Sequence, residues 1–511
     1  MNKFLKIVGA VAVINIVARV FGFLREAVIG YQYGSSHIAD GIFTAYTLPN
    51  FLYLVVGGAF TTAVISIYNK KTTDQSLFVK QSFTIVTLTG IVMTAIGLAL
   101  TTPILNMFFE GSSDISAEDF ETTKHLFYWM MPSSILLMLA SWYSGLLNVN
   151  SKFHLSSFAI LIYNILFLVI AVGLSGVIGP ISYGISAFFS AVLMVYFLAR
   201  GYRKLDGPSV GVSFIRTQST RDLWIMVFPI MIGGGTIQIY AMLQRFFVGI
   251  LSLGDSAVSV VNFASRLTQF PQSILITAVT TVIYPILSRK EAEDDHQSIK
   301  DLYGKGIHYL LLLLGPVTIF SYFYAENLVQ VIFEYGKFTA DDTAITAPVV
   351  AIFVLSMLFL AANTYITRFY YAKGDSTAPV VLSLLNVFVV NIAVMYVMAE
   401  SAGVSAIAWG TLISSIVNTV MLVIYASVKY DLKLGAGLNK KELLKPIVPF
   451  IVLTFIMYIS SKYFIFDYKW ITFMVGLTVF GLSTVILYVM FQIKEIEQFY
   501  KKLKSKLVKT N

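Results

Sequence analysis

Six charged side chains lie inside long apolar runs of this chain: Arg19, Arg25, Glu26, Asp40, Arg245 and Arg266. A charge at the centre of a bilayer costs at least about 2.5–3.5 kcal/mol on insertion scales, so each must face protein or water. Their spacing is ordered. Asn15, Arg19, Gly22 and Glu26 recur at steps of four, three and four, which is one stripe of a helix, and Arg25 lies beside it. Asn262, Arg266, Gln269 and Ser273 repeat that pattern, Asp40, Thr44 and Thr47 share another face, and Gln238 and Arg245 a fourth. Cations outnumber acids in these stripes, so a cavity lined by them is net positive and its ligand anionic. Guanidinium forks match phosphate oxygens bidentately. A structural reading competes: Arg25 pairs with Glu26 or Asp40 as a helix-packing lock, and Arg245 snorkels to the outer interface. Other chemistries lack their residues. There is no cysteine, and His37, His125, His154, His296 and His308 form no metal-binding spacing. No metal and no cofactor are expected.

Holding these groups at depth requires helices that cross a membrane. Of 511 residues, 57% are hydrophobic and 12% charged, with a mean hydropathy of +0.78. A soluble domain carries about 25% charged residues, so a soluble globular enzyme is excluded. Breaking the apolar runs at charged or Gly/Pro/Asn-rich turns gives fourteen candidate transmembrane helices. The charge-bearing ones are expected at residues 6–31, 38–68, 221–252 and 256–287. The first run has no small-residue cleavage site after it and reads as a retained helix. Loops on the side of the N-terminus hold Lys70, Lys71, Lys152, Arg200, Arg203, Arg216, Arg289 and Lys440, whereas Lys124, Lys337, Lys462 and Lys469 fall opposite. Positive segments resist translocation, so both termini are expected to be cytoplasmic. The net charge of +9 follows from that topology, with no nucleic acid needed.

The two halves echo each other. Pro49 in AYTLPNFL matches Pro271 in RLTQFPQSI, and Asn164 in AILIYNI matches Asn386 in LSLLNVF, in one register. The expected fold is an all-α polytopic membrane protein of about fourteen transmembrane helices. Two pseudo-symmetric six-helix lobes cover 1–205 and 206–430, two C-terminal helices lie within 431–493, and 494–511 form a basic amphipathic cytoplasmic tail. An even number of helices per repeat gives parallel repeats about an axis along the membrane normal, as in several transporter folds. Such a duplication favours alternating access.

The segment Arg19-Val-Phe-Gly-Phe-Leu-Arg25-Glu26, followed by Ala39-Asp40-Gly41-Ile42-Phe43, Leu48-Pro49-Asn50 and Gly58-Ala59-Phe60, resembles the N-terminal signature of MurJ-type lipid II flippases. The resemblance continues in Gly145-Leu-Leu-Asn148, Phe263-Ala-Ser-Arg266-Leu267, Phe333-Glu334-Tyr-Gly336-Lys-Phe338-Thr339, Phe369-Tyr370-Tyr371-Ala372 and Asp375-Ser-Thr377-Ala-Pro379. It implies a multi-pass protein of the bacterial cytoplasmic membrane that exports an undecaprenyl-diphosphate-linked peptidoglycan precursor. It further implies that the last two helices form a groove for the lipid tail, that Arg19, Arg25, Glu26, Asp40 and Arg266 line a central cavity, and that the protein works as a monomer among membrane lipids and cell-wall synthesis enzymes. Asn262 and Gln269 join the substrate-binding set by their stripe, with Asn15, Arg245 and Tyr53 as further candidates. Two departures stand out. Many members have an arginine pair after the LPN of helix 2, where this chain reads Phe51-Leu52-Tyr53-Leu54. Members with a sodium site use acids on helices 7 and 11, where this chain offers Gln244 and Arg245, then Asn386 and Asn391.

Three other readings compete. A flippase for another polyprenyl-diphosphate-linked saccharide fits the same cavity. A drug or cation antiporter wants cavity carboxylates, which the arginine excess opposes. A membrane glycosyltransferase needs a sizeable outer loop or a carboxylate pair, and the stretch from Glu110 to Glu121 is short.

Overall fold

The computed structural model describes residues 3–70, 74–109, 115–205, 207–251, 253 and 256–493, which are helical throughout apart from short connections. The fourteen long helices are α1 (Lys3–Tyr33), α2 (His37–Tyr68), α3 (Gln75–Ala99), α4 (Ala117–Val149), α5 (Phe153–Ile178), α6 (Ile181–Arg203), α7 (Gln218–Ile250), α8 (Ala257–Ala292), α9 (His296–Phe323), α10 (Ala340–Ala372), α11 (Thr377–Ala402), α12 (Ser405–Tyr430), α13 (Lys440–Tyr463) and α14 (Lys469–Met490). Short helices Thr101–Phe109 and Ala325–Ile332 extend α3 and α9. Eleven of the helices among the described residues are long and apolar enough to cross a membrane. The other three, α1, α7 and α8, carry Arg19, Arg25, Glu26, Arg245 and Arg266. The tail expected at 494–511 and the acidic residues 110–114 lie outside the described residues.

By packing, the chain divides into two compact units, one running to Asn262 and the other beginning at Phe263. In the first, α5 packs on α6 and α1, α4 on α6, α2 and α3, and α7 on α2 and the Thr101–Phe109 helix. The helix α7, assigned by sequence to the second lobe, therefore packs with α2 and the end of α3. In the second, α10 packs on α12 and α9, α11 on α12, and α13 on α14 and α9. Its core is tyrosine-rich: Tyr303, Tyr365, Phe369, Tyr370 and Leu422 are buried together. Tyr365 donates to the Leu302 carbonyl at 2.7 Å and Tyr370 to the Leu422 carbonyl at 2.6 Å, so these two hydroxyls are satisfied within the apolar core, whereas the buried Tyr303 hydroxyl has no hydrogen-bond partner.

Corresponding parts of the two halves are built alike. The α5–α6 hairpin turns at Gly179 (φ 59°) and the α11–α12 hairpin at Gly403 (φ 51°), left-handed positions that a Cβ disfavours. The π turns among the described residues, Leu52–Gly57 in α2 and Asn386–Asn391 in α11, do not fall in corresponding helices. The first follows Pro49, whose missing N–H and ring disturb the i→i−4 ladder.

Candidate functional site

The stripe on α1 does not stay uniformly wet. Arg19 is exposed, Asn15 half-buried, and Arg25 and Glu26 are only 9% and 3% exposed. Arg25 Nη2 donates to Glu26 Oε1 at 3.1 Å, and its guanidinium lies over the rings of Tyr46 and Phe167 at 4.8 and 4.9 Å. An ion pair and two aromatic faces together make a buried guanidinium tolerable. The other carboxylate oxygen, Glu26 Oε2, accepts from Asn262 Nδ2 at 3.0 Å. Asn262 Oδ1 in turn accepts from Arg245 Nη2 at 2.7 Å. Arg245 Nη1 donates to the Phe43 carbonyl at 3.0 Å and to Thr47 Oγ1. One chain of charge-assisted hydrogen bonds thus joins residues of α1, α7 and α2 to Asn262 in the first turns of α8, each of these residues lying within the first unit. Arg245, for which the sequence left open a cavity-lining role or snorkelling to the outer interface, is turned toward Thr47 and Asn262.

Asp40 is 4% exposed and serves a different partner. Its Oδ1 accepts the Ser259 N–H at 2.6 Å. The first-turn amides of a helix have no partner inside it, and α8 begins at Ala257. A carboxylate from α2 therefore caps α8 across the fold, where the positive end of the helix dipole favours an anion. Asp40 lies in the first turn of α2, whose own N-cap is Ser36.

Among the remaining candidates, Arg266 is half-buried and Gln269 exposed on α8, and Tyr53 is half-buried within the π turn of α2. Gln244, at the family's acidic position on α7, donates to Tyr240 Oη at 2.9 Å. On α11, Asn386 Nδ2 donates to the Leu382 carbonyl at 2.8 Å and to Asn418 Oδ1 at 3.3 Å, and Asn391 Nδ2 donates to Ser414 Oγ at 3.1 Å. Among the described residues no group of three or more His, Cys, Asp or Glu is arranged to hold a metal ion.

Sequence reasoning passed over the walls of the Arg25 niche. Tyr46 and Tyr163 approach through their hydroxyls at 3.3 Å, and Tyr46 and Tyr163 each pack edge-on against Phe167. Abundant aromatic residues in a membrane protein read as belt or packing residues, and only the position of Tyr46 one turn before Asn50, on the helix carrying Asp40, hinted otherwise. Ser259 gave no signal at all, because its contribution is a backbone N–H.

Relatives with the same helices carry a consistent description. A protein of Rickettsia prowazekii (strain Madrid E) named probable lipid II flippase MurJ is 27% identical over 84% of this chain and 85% of its own length. One from Burkholderia cenocepacia named lipid II flippase MurJ is 24% identical over 80% and 81%. Among solved structures, a lipid II flippase MurJ in an inward closed conformation superposes with a TM-score of 0.82 at 21% identity, covering 95% of this chain and 99% of that one. An inward-facing multidrug resistance MATE family transporter of the MOP superfamily gives 0.67 at 13% identity, covering 82% and 98%, so the helical fold extends beyond one family. The family model for lipid II flippase MurJ matches residues 29–481, and the chain belongs to that family of membrane transporters.

Proposed function

We propose that this protein carries lipid II, an undecaprenyl-diphosphate-linked peptidoglycan precursor, from the inner to the outer leaflet of the bacterial cytoplasmic membrane by alternating access. The observation that carries this reading is the family match over residues 29–481. Arginines at membrane depth support it: Arg19 is exposed on α1 and Arg266 half-buried on α8, and a guanidinium fork suits a diphosphate. Arg25 is engaged with Glu26, so its grip on phosphate is an exchange of one anion for another. Such an exchange costs less than stripping water from a free cation. The cation-rich loops support a topology with both termini in the cytoplasm and fourteen crossings, and the monomer is taken as the working unit.

Complementation of a bacterial strain depleted of its own lipid II flippase tests the proposal. Restored growth with normal cell shape is the expected result. A chain that inserts at normal levels yet fails to complement, while supporting export of another polyprenyl-diphosphate saccharide, overturns the lipid II assignment and keeps the fold.

A further inference from the structure

The connection from α6 to α7 is the longest non-helical stretch described, residues 207–217, and it is pinned along α3. Ser213 N–H donates to Thr84 Oγ1 at 2.9 Å, Gln81 Nε2 donates to the Ile215 carbonyl at 2.7 Å, and Thr217 Oγ1 donates to Gln81 Oε1 at 3.1 Å. Gln81 and Thr84 are themselves buried, at 1% and 5% exposure, so the tether is an ordered one. At the near end Tyr202 donates to the Pro208 carbonyl at 2.9 Å, and Gly211 lies against the stem of Lys80.

This strap keeps its backbone bonds on α3 and sends its apolar side chains away. Val212, Phe214 and Ile215 are 63%, 74% and 61% exposed. Arg203, Lys204, Arg216 and Arg221 are exposed around them. The depth of the strap is fixed by its anchors. Gln81 and Thr84 lie about 9–14 Å along α3 from Gln75, at about 1.5 Å per residue. α3 is one of the helices apolar enough to cross a membrane, and at 25 residues it exceeds the roughly 30 Å hydrocarbon core. With the overhang shared between the two ends, the anchors lie about 5–10 Å inside the level where headgroups meet acyl chains, the depth to which an interfacial apolar face reaches. Side chains that are apolar outward and ringed by cations at that level have one solvent that suits them.

We propose that residues 207–217 form an interfacial anchor: Val212, Phe214 and Ile215 insert into the acyl boundary while Arg203, Lys204, Arg216 and Arg221 bind anionic phospholipid headgroups. The occupant is the lipid leaflet itself. The sequence has no cysteine, so the test uses Phe214→Cys in the full chain, labelled with an environment-sensitive fluorophore and reconstituted alone into vesicles of phosphatidylcholine with or without phosphatidylglycerol. The expected result with phosphatidylglycerol is a blue-shifted emission, strong quenching by lipids nitroxide-labelled near the headgroup, and severalfold weaker quenching by iodide present on both sides. Arg216→Gln with Arg221→Gln should lower the lipid quenching in those vesicles. Emission that stays iodide-accessible in both vesicle types overturns insertion, and identical quenching with and without phosphatidylglycerol overturns the anionic-lipid assignment. Protection found only in native membranes, and lost in the purified vesicles, assigns the strap to a protein partner and overturns the proposal.

Discussion

The two units satisfy their buried polar groups in opposite ways. Among the described residues, the formally charged side chains that are fully buried are Arg25, Glu26 and Asp40, all in the first unit. The second unit buries amides and hydroxyls instead: Asn386 with Asn418, Asn391 with Ser414, and Thr419 donating to Asn363 Oδ1 at 2.8 Å. Its ion pairs stand at helix ends, as between Lys373 and Glu291 or Lys429 and Asp375. Neutral networks carry a small desolvation cost, whereas a buried charge costs stability that an apolar replacement would often recover. The first unit therefore carries a cost that the second avoids.

The largest effect should come from the arginines. Replacing Arg19 or Arg266 with Ala should abolish complementation while expression and membrane insertion stay near wild type, because removing a charge eases insertion. Lys at either position should rescue in part, since an ammonium keeps the charge and loses the planar fork. Full activity of both Ala variants would dissolve the functional half of the comparison.

Next in size is the stability difference between the networks. Glu26→Ala leaves Arg25 buried with its rings alone and removes the acceptor of Asn262, a change that should cost about 3–5 kcal/mol. Asn391→Ala, which takes one donor from a Ser414 hydroxyl that still donates to the Thr411 carbonyl, should cost about 0.5–1.5 kcal/mol. Thermal unfolding of both variants in the same detergent checks the order, and equal losses would mean that the buried ion pair is no more demanding than an amide.

A smaller, pH-dependent term belongs to Asp375 in the α10–α11 loop. Partial burial opposes its ionisation, but Lys429 at 2.8 Å, the Tyr430 hydroxyl at 2.7 Å and the Ala378 N–H outweigh it and hold the carboxyl down at about 2. With an unfolded value near 3.9, this stabilisation is fully present above about pH 4 and is lost as the pH falls through about 2. Asp375→Asn should lower stability at pH 7 by on the order of 2 kcal/mol, with the gap to wild type closing in acid. A gap that persists at low pH would assign the loss to packing.

The smallest expected effect is none. With Gln244 and Arg245 on α7 and neutral amides on α11, transport should be unchanged when potassium replaces sodium at constant membrane potential. The side chain to watch is Asn386, whose Oδ1 is buried without a hydrogen-bond partner. A sodium requirement abolished by Asn386→Leu would reveal an ion site and end the description of the second unit as purely structural.

Much of this was legible in the residues. Apolar run length and turn composition located the eleven membrane-length apolar helices among the described residues, because a membrane helix is bounded by the thickness it crosses. The stripe on α1 and its echo on α8 came from a period of 3.6, which the sequence displays directly. What period cannot supply is the partner. Arg25 and Glu26 are adjacent in sequence and their pairing was one of two readings, but the choice of Asn262 for the second oxygen of Glu26 depends on the packing of α8 on α1. Arg245 illustrates the same limit. A lone arginine on a helix looks identical whether it reaches for headgroups or for Thr47, and only the approach of α2 decides it. The Ser259 contact was illegible in principle, since every residue but proline offers the same N–H.

The Asp40 cap sets an order for biogenesis. A chain made from its N-terminus places α1 and α2 in the bilayer long before α8 exists, since Asp40 and Ser259 are separated by 219 positions. Glu26 has a neutralising partner from the start in its neighbour Arg25, whereas the amide that receives Asp40 arrives only when half the protein has been translated. Until then Asp40, in the first turn of α2, has no helix to cap. Only when the first turn of α8 has been made does that carboxylate gain its amide partner, so a nascent chain halted before residue 256 lacks this cap.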